Sequence, residues 1–266
     1  MNQADRVLVL MYHRVGTARN DWEARYCVSP ENFSAQMRAL AAAGRHAIPA
    51  QALLDWLEGR APAPAPGAFV LTFDDGFAGV REHALPVLEA LGWPFTVFLV
   101  SDLIGGEDVW TRSANPDGRT HPLLARDEIL EMQARGCSFQ SHTRSHASLP
   151  TLDDPALTAE LAGSREALAG LLGREVDCLA YPYGHLDERV EAAARAAGYR
   201  AAFSVQPGFN RPDVNRWRIR RLDVFGTDSP AVLLRKMQLG SNDGSLRHAA
   251  GYYWQRLAAR WSRTPA

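Results

Sequence analysis

Two short segments of the chain carry residues that could perform metal-assisted hydrolysis. The segment Thr72–Gly76 ends an apolar run with two adjacent carboxylates, Asp74 and Asp75. The segment Ser141–His146 places two imidazoles, those of His142 and His146, four positions apart. Zinc in hydrolases is held by His nitrogens and carboxylate oxygens, and it activates water. The two segments therefore predict a site in which one Asp and both His hold a metal, while the second Asp acts as a base.

Each segment alone also has a plain structural explanation. Asp-Asp-Gly is common in turns, because Asp and Gly tolerate turn conformations. Two His at positions i and i+4 share a face on a helix or a tight turn, so both could reach one metal. Metalloproteases with this His spacing carry Glu after the first His. Here that position is Thr143, which argues against a protease of that type.

Composition limits the class of protein. The 266 residues are 46% hydrophobic with a net charge of -1, enough for one large α/β domain and without a basic field that would suggest nucleic acid. The three widely spaced cysteines predict neither a disulfide framework nor a cysteine metal site. The N-terminal segment lacks the features of a signal peptide, so we expect a cytoplasmic protein.

Strands and helices are predicted to alternate along the chain. A helix is expected to begin at Ser29-Pro30, where Ser caps the helix and Pro takes its first position, and to stop at Gly44. The region Asp102–Thr120 is predicted to be a long loop near the site. The predicted strands are Val7–Tyr12, Phe69–Phe73, Phe95–Val100, Cys137–Gln140, Val176–Tyr181, Ala201–Val205 and Trp217–Val224. This alternation fits a parallel barrel or an open doubly wound sheet, and the chemical residues that follow strands favour the barrel.

In combination, the motifs resemble those of the NodB-type polysaccharide deacetylases, carbohydrate esterase family 4. Thr72–Gly76 is similar to the first motif of that family and His142–His146 to the second. Tyr181-Pro182-Tyr183-Gly184 resembles part of the third, and Leu10–Val15 is similar to the start of many members. The resemblance extends over roughly residues 7 to 225.

The resemblance implies an α/β fold, a distorted (β/α) barrel with a divalent metal, most often Zn²⁺. By the same resemblance, Asp75, His142 and His146 would be the metal ligands and Asp74 the general base. The backbone N–H of Tyr183 would stabilise the oxyanion. His13, Tyr181 and Pro182 would contact the substrate. The implied function is hydrolysis of N-acetyl groups on amino sugars of a polysaccharide or lipid-linked glycan.

The sequence departs from the family pattern at three points. The third motif usually has Arg two positions before its Pro, where this chain has Ala180. Arg221 is a candidate replacement, and strand alternation would place it on one face with Asp223. The fourth motif is not recognisable, although Trp217 is a weak candidate. The fifth motif, which supplies the general acid, is also missing, so His13, His185 and water remain alternatives.

We expect a catalytic domain over residues 1–240 and an amphipathic C-terminal tail or helix over residues 241–266. Aromatic residues mixed with Arg in residues 246–261 are typical of a peripheral membrane helix. They also fit a terminal helix packed on the barrel with Arg on its solvent face, and this is the interpretation that we favour. A membrane contact would place the protein at the inner membrane face.

Two other functions remain open at this stage. A carbohydrate-binding protein could keep the fold and lose efficient turnover, which the missing acid motif would explain. A metal-independent hydrolase of cyclic amides is the second alternative, and the complete set of metal ligands argues against it.

Overall fold

The computed structural model describes residues 6–251, which form a curled, parallel β-sheet surrounded by helices. The strands of the described chain are β1 (Leu8–Tyr12), β2 (Arg14–Val15), β3 (Cys27–Val28), β4 (His46–Ala47), β5 (Ala68–Phe73), β6 (Thr96–Leu99), β7 (Ser138–Ser141), β8 (Cys178–Ala180), β9 (Ala201–Phe203) and β10 (Leu222–Asp223). The main sheet has the order β10-β1-β5-β6-β7-β8-β9, and β4 also pairs with β5. Strands β2 and β3 form a separate pair. The architecture is the predicted distorted (β/α) barrel.

Helices connect the strands and cover the outside of the sheet. They are α1 (Pro30–Ala42), α2 (Ala50–Leu57), α3 (Leu85–Leu91), α4 (Arg126–Ala134), α5 (Asp154–Thr158), α6 (Ser164–Leu172), α7 (Glu188–Ala196) and α8 (Pro230–Leu239). Helix α1 begins as predicted, with the Ser29 hydroxyl accepting a hydrogen bond from the Asn32 N–H. None of the helices in residues 6–251 is long and apolar enough to cross a membrane.

Helices α3 and α6 are each preceded directly by a π-helical turn. Val80–Ala84 precedes α3, and Ala159–Gly163 joins α5 to α6. A π-turn inserts one residue into the helix and changes the face that follows it.

Alternation along the strands separates an inner core from an outer one. Val9, Val70, Phe98, Ala180 and Phe203 belong to a buried cluster inside the barrel, which α2 closes at the end where the strands begin. The neighbouring strand residues belong to a larger cluster beneath the surrounding helices. Because successive side chains point to opposite faces, residues two or four positions beyond the inner ones face the interior at the other end. This is the end at which the chemical residues lie.

The barrel closes through an irregular segment, residues 216–223, that lies between β9 and β1. The Ile219 N–H donates to the Ala202 carbonyl at 2.9 Å, and Leu222 pairs with Leu10 of β1. The strand predicted over Trp217–Val224 is therefore reduced to β10. A tight turn at Asn215–Arg218, closed by a 2.8 Å backbone hydrogen bond, prevents an extended start.

The C-terminal prediction is largely outside the described residues. Helix α8 ends at Leu239, and residues 246–251 are helical and mostly exposed. The aromatic residues on which the membrane or packing interpretation depends lie beyond residue 251. The proposed division at residue 240 and the role of the tail therefore stay predictions.

Candidate active site

Backbone strain in the described chain is concentrated at one end of the barrel. Among residues 6–251, the non-glycine residues with positive φ are Asp75 (73°), Thr143 (67°), His146 (64°) and Tyr183 (59°). Each belongs to one of the three sequence motifs. Such conformations cost of order 1–3 kcal/mol each and persist where the surroundings enforce them. The fold thus holds these three turns in shapes that their own residue types disfavour.

The turn at Asp75 brings both carboxylates to one cavity, as the sequence predicted. Asp74 follows the alternation of β5 and faces inward, and the positive φ of Asp75 turns the next side chain to the same side. The Nε2 atoms of His142 and His146 lie 3.3 Å and 3.2 Å from Asp75 Oδ1. One ligand atom from each of these three buried residues lies within 4.8 Å of the others. The three side chains could therefore hold one metal ion.

The donor set fits a divalent cation. Asp75 Oδ1 is buried without a hydrogen-bond partner, although a buried carboxylate oxygen normally has one. The Nδ1 of His142 lies 2.8 Å from the Ala180 carbonyl, so Nδ1 carries the proton and Nε2 directs its lone pair toward Asp75. Two imidazole nitrogens and one carboxylate oxygen are a common catalytic zinc set that leaves further positions open. A bound cation would satisfy all three atoms together.

The charged state of the triad follows from this packing. Burial alone would raise the pKa of Asp75, but the two imidazoles beside it hold that pKa well below its usual range. Burial lowers the pKa of His146. The pKa of His142 is raised, because the pull of Asp75 and Asp74 outweighs burial. The site therefore presents a carboxylate to a cation rather than a neutral acid.

Asp74 forms a two-point ion pair with Arg221. Arg221 Nη1 and Nη2 donate to the two oxygens of Asp74 at 2.6 Å and 2.7 Å, and both side chains are buried. Arg221 Nε also donates to the Ser204 carbonyl, and the guanidinium lies over the rings of Phe98 and Phe203. Burial raises the pKa of Asp74, but the charge of Arg221 reverses the shift and keeps it below the ordinary value. Asp74 is thus an ionised carboxylate fixed in one orientation.

Arg221 was predicted to take the place of the Arg that the third motif usually carries at the position of Ala180. The structure shows how Arg221 reaches Asp74. Ala180 ends β8 and belongs to the buried cluster inside the barrel. Arg221 enters from the irregular closing segment on the other side of Ser204. Its position is therefore set by how the barrel closes rather than by the third motif.

A cavity of about 340 Å³ opens over the triad and Asp74. Of the other predicted site residues, His13, Tyr181 and Tyr183 line it. Tyr183 is half exposed, and the hydroxyl of Tyr181 is buried without a hydrogen-bond partner. Pro182 is buried in the turn before Gly184 and is not among the residues that line the cavity, so its predicted substrate contact stays a prediction.

The candidates for the missing fourth and fifth motifs differ in whether they line the cavity. His13 lines the cavity, whereas His185 does not, and its Nδ1 is hydrogen-bonded to the Ser148 hydroxyl. Trp217 packs in the core beneath Arg195 and is also absent from the cavity lining. Asp223 lines the cavity, and burial raises the pKa of its carboxyl group.

The structure adds residues that the sequence did not reveal. Trp110 stacks on His146 with ring centroids 4.3 Å apart and planes at 21°. Glu23 and His121 are buried in one wall of the cavity and hydrogen-bonded to each other. Irregular loops carry all three, and no periodic pattern marks positions in such loops.

Comparison with known proteins agrees with this geometry. The family model for polysaccharide deacetylase matches residues 62–202. The poly-beta-1,6-N-acetyl-D-glucosamine N-deacetylase of Staphylococcus epidermidis is 26% identical over 250 residues, which cover 85% of this chain and 82% of that protein.

Solved structures show the same architecture. IcaB from Ammonifex degensii is 27% identical with a TM-score of 0.69, covering 83% of this chain and 92% of that one. A Streptococcus pyogenes deacetylase, PplD, in complex with acetate has a TM-score of 0.74 at 22% identity, covering 87% and 98% of the two chains. At that identity the second likeness concerns the fold alone.

Proposed function

This chain belongs to the polysaccharide deacetylase family, enzymes that act on amide bonds, and we propose that it removes N-acetyl groups from an amino-sugar polymer in a metal-dependent reaction. One observation carries the metal dependence: the buried, unpartnered Asp75 Oδ1 lies within 3.3 Å of the Nε2 atoms of both His142 and His146. The amino-sugar substrate is supported by the activity for which the staphylococcal relative is named.

Asp75, His142 and His146 would hold the metal. Two nitrogens and one oxygen suit Zn²⁺ well, and other divalent ions of the first transition row also accept this set. A divalent ion bound there supplies Lewis acidity, which polarises a carbonyl group and lets water react near neutral pH.

Asp74 is the proposed general base. Its carboxylate is ionised, oriented by Arg221 and directed into the same cavity as the triad. It would accept a proton from the attacking water while both of its oxygens remain bonded to the guanidinium. Arg221 is the proposed positioning residue for this base.

His13 is the proposed general acid. Hydrolysis of an acetamide breaks the C–N bond, adds water oxygen to the acetyl carbon and requires a proton on the leaving nitrogen. His13 faces the cavity with Nδ1 buried and unpartnered, and the carboxylate of Asp223 faces the same space. A protonated imidazole balanced by Asp223 could supply that proton, leaving acetate and a free sugar amine.

Tyr183 has a proposed role through its backbone. It occupies the left-handed region with φ of 59°, between Pro182 and Gly184. A Cβ on Gly184 would come within 2.2 Å of the Val205 side chain, so the close fit of this turn requires glycine. This fixed turn supports the proposal that the Tyr183 N–H is held ready to donate to an oxyanion.

The decisive experiment measures metal and acetate together. Purified protein is loaded with zinc, dialysed and analysed for zinc per chain, and acetate release is then measured on poly-N-acetylglucosamine oligosaccharides. We expect about one zinc per chain and acetate release, both lost in His142→Ala. His83 provides the control: it is partly exposed and does not line the cavity over the triad, so His83→Ala should retain both.

Each alternative outcome has a definite meaning. Acetate release without any metal would contradict metal dependence. Zinc binding and oligosaccharide binding without acetate release would instead support the catalytically weakened binding protein. Cleavage of cyclic amides in preference to acetylated sugars would support the third hypothesis.

A further inference from the structure

The two proposed metal-binding histidines are oriented in different ways. The Nδ1 of His142 is fixed by the Ala180 carbonyl, the arrangement usual for a His ligand. The Nδ1 of His146 is buried and has no hydrogen-bond partner. A ring without such a bond can rotate unless packing holds it, and a rotated ring would no longer direct Nε2 toward Asp75.

Aromatic packing replaces the missing hydrogen bond. Trp110 lies against one face of the His146 ring, at 4.3 Å between centroids and 21° between planes. Tyr183 contacts the same ring edge-on, at 4.6 Å and 72°. Tyr183 is half exposed, so the flat contact with Trp110 is the larger constraint on the ring.

Hydrogen bonds, rather than burial of the residues beside it, hold Trp110 in position. It lies in a single 3₁₀ turn, Val109–Thr111, and Val109 is 46% exposed. The turn is held by Asp108, whose carboxylate accepts hydrogen bonds from the Thr111 hydroxyl and the His121 N–H. The ring of His121 in turn leads to a second loop of the chain.

Glu23 is the residue on which these contacts converge. Its Oε1 accepts from His121 Nε2 at 2.8 Å and from Asn115 Nδ2 at 3.1 Å, which ties Glu23 to two points of the loop on the C-terminal side of Trp110. Its Oε2 accepts from Arg14 Nη2 at 2.7 Å and from the Arg19 N–H at 2.8 Å. Arg14 Nη1 also lies 2.9 Å from His121 Nδ1, which assigns the proton of that ring to Nε2, facing Glu23.

We propose that Glu23 is a positioning residue: through His121 and Asn115 it holds the Trp110 turn in place, and Trp110 fixes the orientation that His146 needs as a ligand. The contacts form one continuous path from Arg14 to His146. Glu23 lies far from His146 in sequence and touches neither the triad nor Asp74. That the orientation of the His146 ring matters for catalysis rests on the proposed metal-dependent function. That Glu23 and Trp110 set this orientation does not depend on that function.

The first test observes the His146 ring directly. Protein with ¹³C-labelled histidine gives one ring signal per His, and the His146 signal is the one lost in His146→Ala. Stacking on Trp110 places the His146 protons over an indole face, so their resonances lie upfield. We expect Trp110→Ala and Glu23→Gln to remove this upfield shift and Trp110→Phe to keep most of it.

The second test measures zinc affinity by competition with a chromophoric chelator. Loss of a group that orients a metal ligand typically weakens binding about 10- to 100-fold. We expect a loss of that size in Trp110→Ala and Glu23→Gln, and rescue in Trp110→Phe. The double variant Trp110→Ala, Glu23→Gln should bind zinc no more weakly than the single variant with the lower affinity, because both changes break the same path.

The control is a carboxylate with the same kind of partners at the other end of the barrel. Glu58 follows α2 and pairs with Arg200 and Arg216. Glu58→Gln should change neither the His146 signal nor zinc affinity, even where it lowers the melting temperature by a similar amount. If Glu23→Gln does not fold, His121→Ala interrupts the same path at the next residue.

The outcomes distinguish this proposal from the proposed function. An unshifted His146 signal in folded Glu23→Gln, or equal effects from Glu58→Gln, overturns the positioning role. Wild-type protein that binds no zinc would contradict the metal-dependent function, while the ring signal still decides whether Glu23 orients His146.

Discussion

Arg221 holds Asp74 by both carboxylate oxygens, at 2.6 Å and 2.7 Å, across 147 residues of sequence. Asp74 directly follows β5 and Arg221 precedes β10, and β1 lies between these two strands in the sheet. A forked guanidinium fixes the direction of a carboxylate as well as its charge. The proposed base is therefore oriented by a residue of the closing segment, which is the part of the barrel nearest the C-terminus.

Replacing Asp74 by Asn should stop catalysis without removing the metal. Asn keeps the shape of the side chain but cannot accept the proton, and loss of a general base typically lowers the rate by about 10² to 10⁴. Zinc content should stay near one per chain, since Asp75 and both His remain. Acetate release and zinc analysis of the same sample would check this.

The same variant has a second expected effect on stability. It leaves the charge of Arg221 buried without a partner, and breaking a buried pair costs about 3–5 kcal/mol. Urea unfolding should therefore accompany the assay, at a temperature where the variant is folded. Activity above a tenth of wild type in folded protein would contradict the assignment of Asp74 as the base.

Replacing Arg221 by Lys should lower kcat more than it raises KM. Lys keeps the charge but cannot form two parallel hydrogen bonds, so Asp74 loses its fixed orientation. A small displacement of a catalytic group can reduce the rate by up to about 10²-fold. Steady-state kinetics on an acetylated oligosaccharide would separate the two constants.

Arg220 provides the matched control for that substitution. It is the exposed neighbour of Arg221, and alternation directs it away from the cavity. Arg220→Lys should leave kcat and KM within about twofold of wild type. Similar losses in both variants would mean that the closing segment, rather than the Asp74 pair, needs arginine.

The role of His13 can be tested through the leaving group. An amide nitrogen must be protonated as it leaves, whereas the phenolate of an activated aryl acetate leaves without help. His13→Ala should therefore lose about 10² or more in kcat on the acetamide and much less on the aryl acetate. His185→Ala, which changes a residue outside the cavity lining, should affect neither substrate strongly. Equal losses on both substrates in His13→Ala would contradict the acid role.

Most of the site residues predicted from sequence lie shortly after a regular strand. Asp74, Asp75 and His142 come immediately after β5 and β7, and parallel strands deliver their carboxyl ends to one edge. The local pattern predicted a metal site of one Asp and both His, and the family resemblance implied that Asp75 is the ligand and Asp74 the base. Strand alternation predicted one face for Arg221 and Asp223, although of these two only Asp223 lies in a regular strand.

The remaining site residues depend on contacts that no local rule describes. Trp110 reaches His146 because its loop is tied to Glu23, which lies in another loop far away in sequence. His121 has no neighbouring motif, and its importance comes from the two partners that it contacts in space. The π-turns before α3 and α6 were likewise missed, because an apolar helical pattern tolerates one inserted residue.

Glu23 should stabilise the fold in a way that depends on pH. Burial would raise its pKa, but hydrogen bonds from the Arg19 N–H and His121 and the charge of Arg14 lower it from 4.5 to about 2. A carboxyl whose pKa is lower in the folded state stabilises that state above its unfolded pKa, and the contribution is lost as pH falls through the folded pKa. The stabilisation is therefore complete above about pH 5 and declines toward pH 2.

Glu23→Gln removes the stabilisation that the ionised carboxylate provides, so the difference in unfolding free energy between the variant and wild type should itself depend on pH. At pH 7 the variant should lose up to about 3 kcal/mol of unfolding free energy, and the difference should shrink steadily between about pH 4.5 and pH 3. Urea unfolding at a series of pH values would measure it. Asp102→Asn, which removes an exposed pair with Arg144, should cost less than about 1 kcal/mol at pH 7. A difference between wild type and Glu23→Gln that stayed constant down to pH 3 would mean that Glu23 acts through shape alone, because only the titrating carboxylate loses its advantage as acid is added.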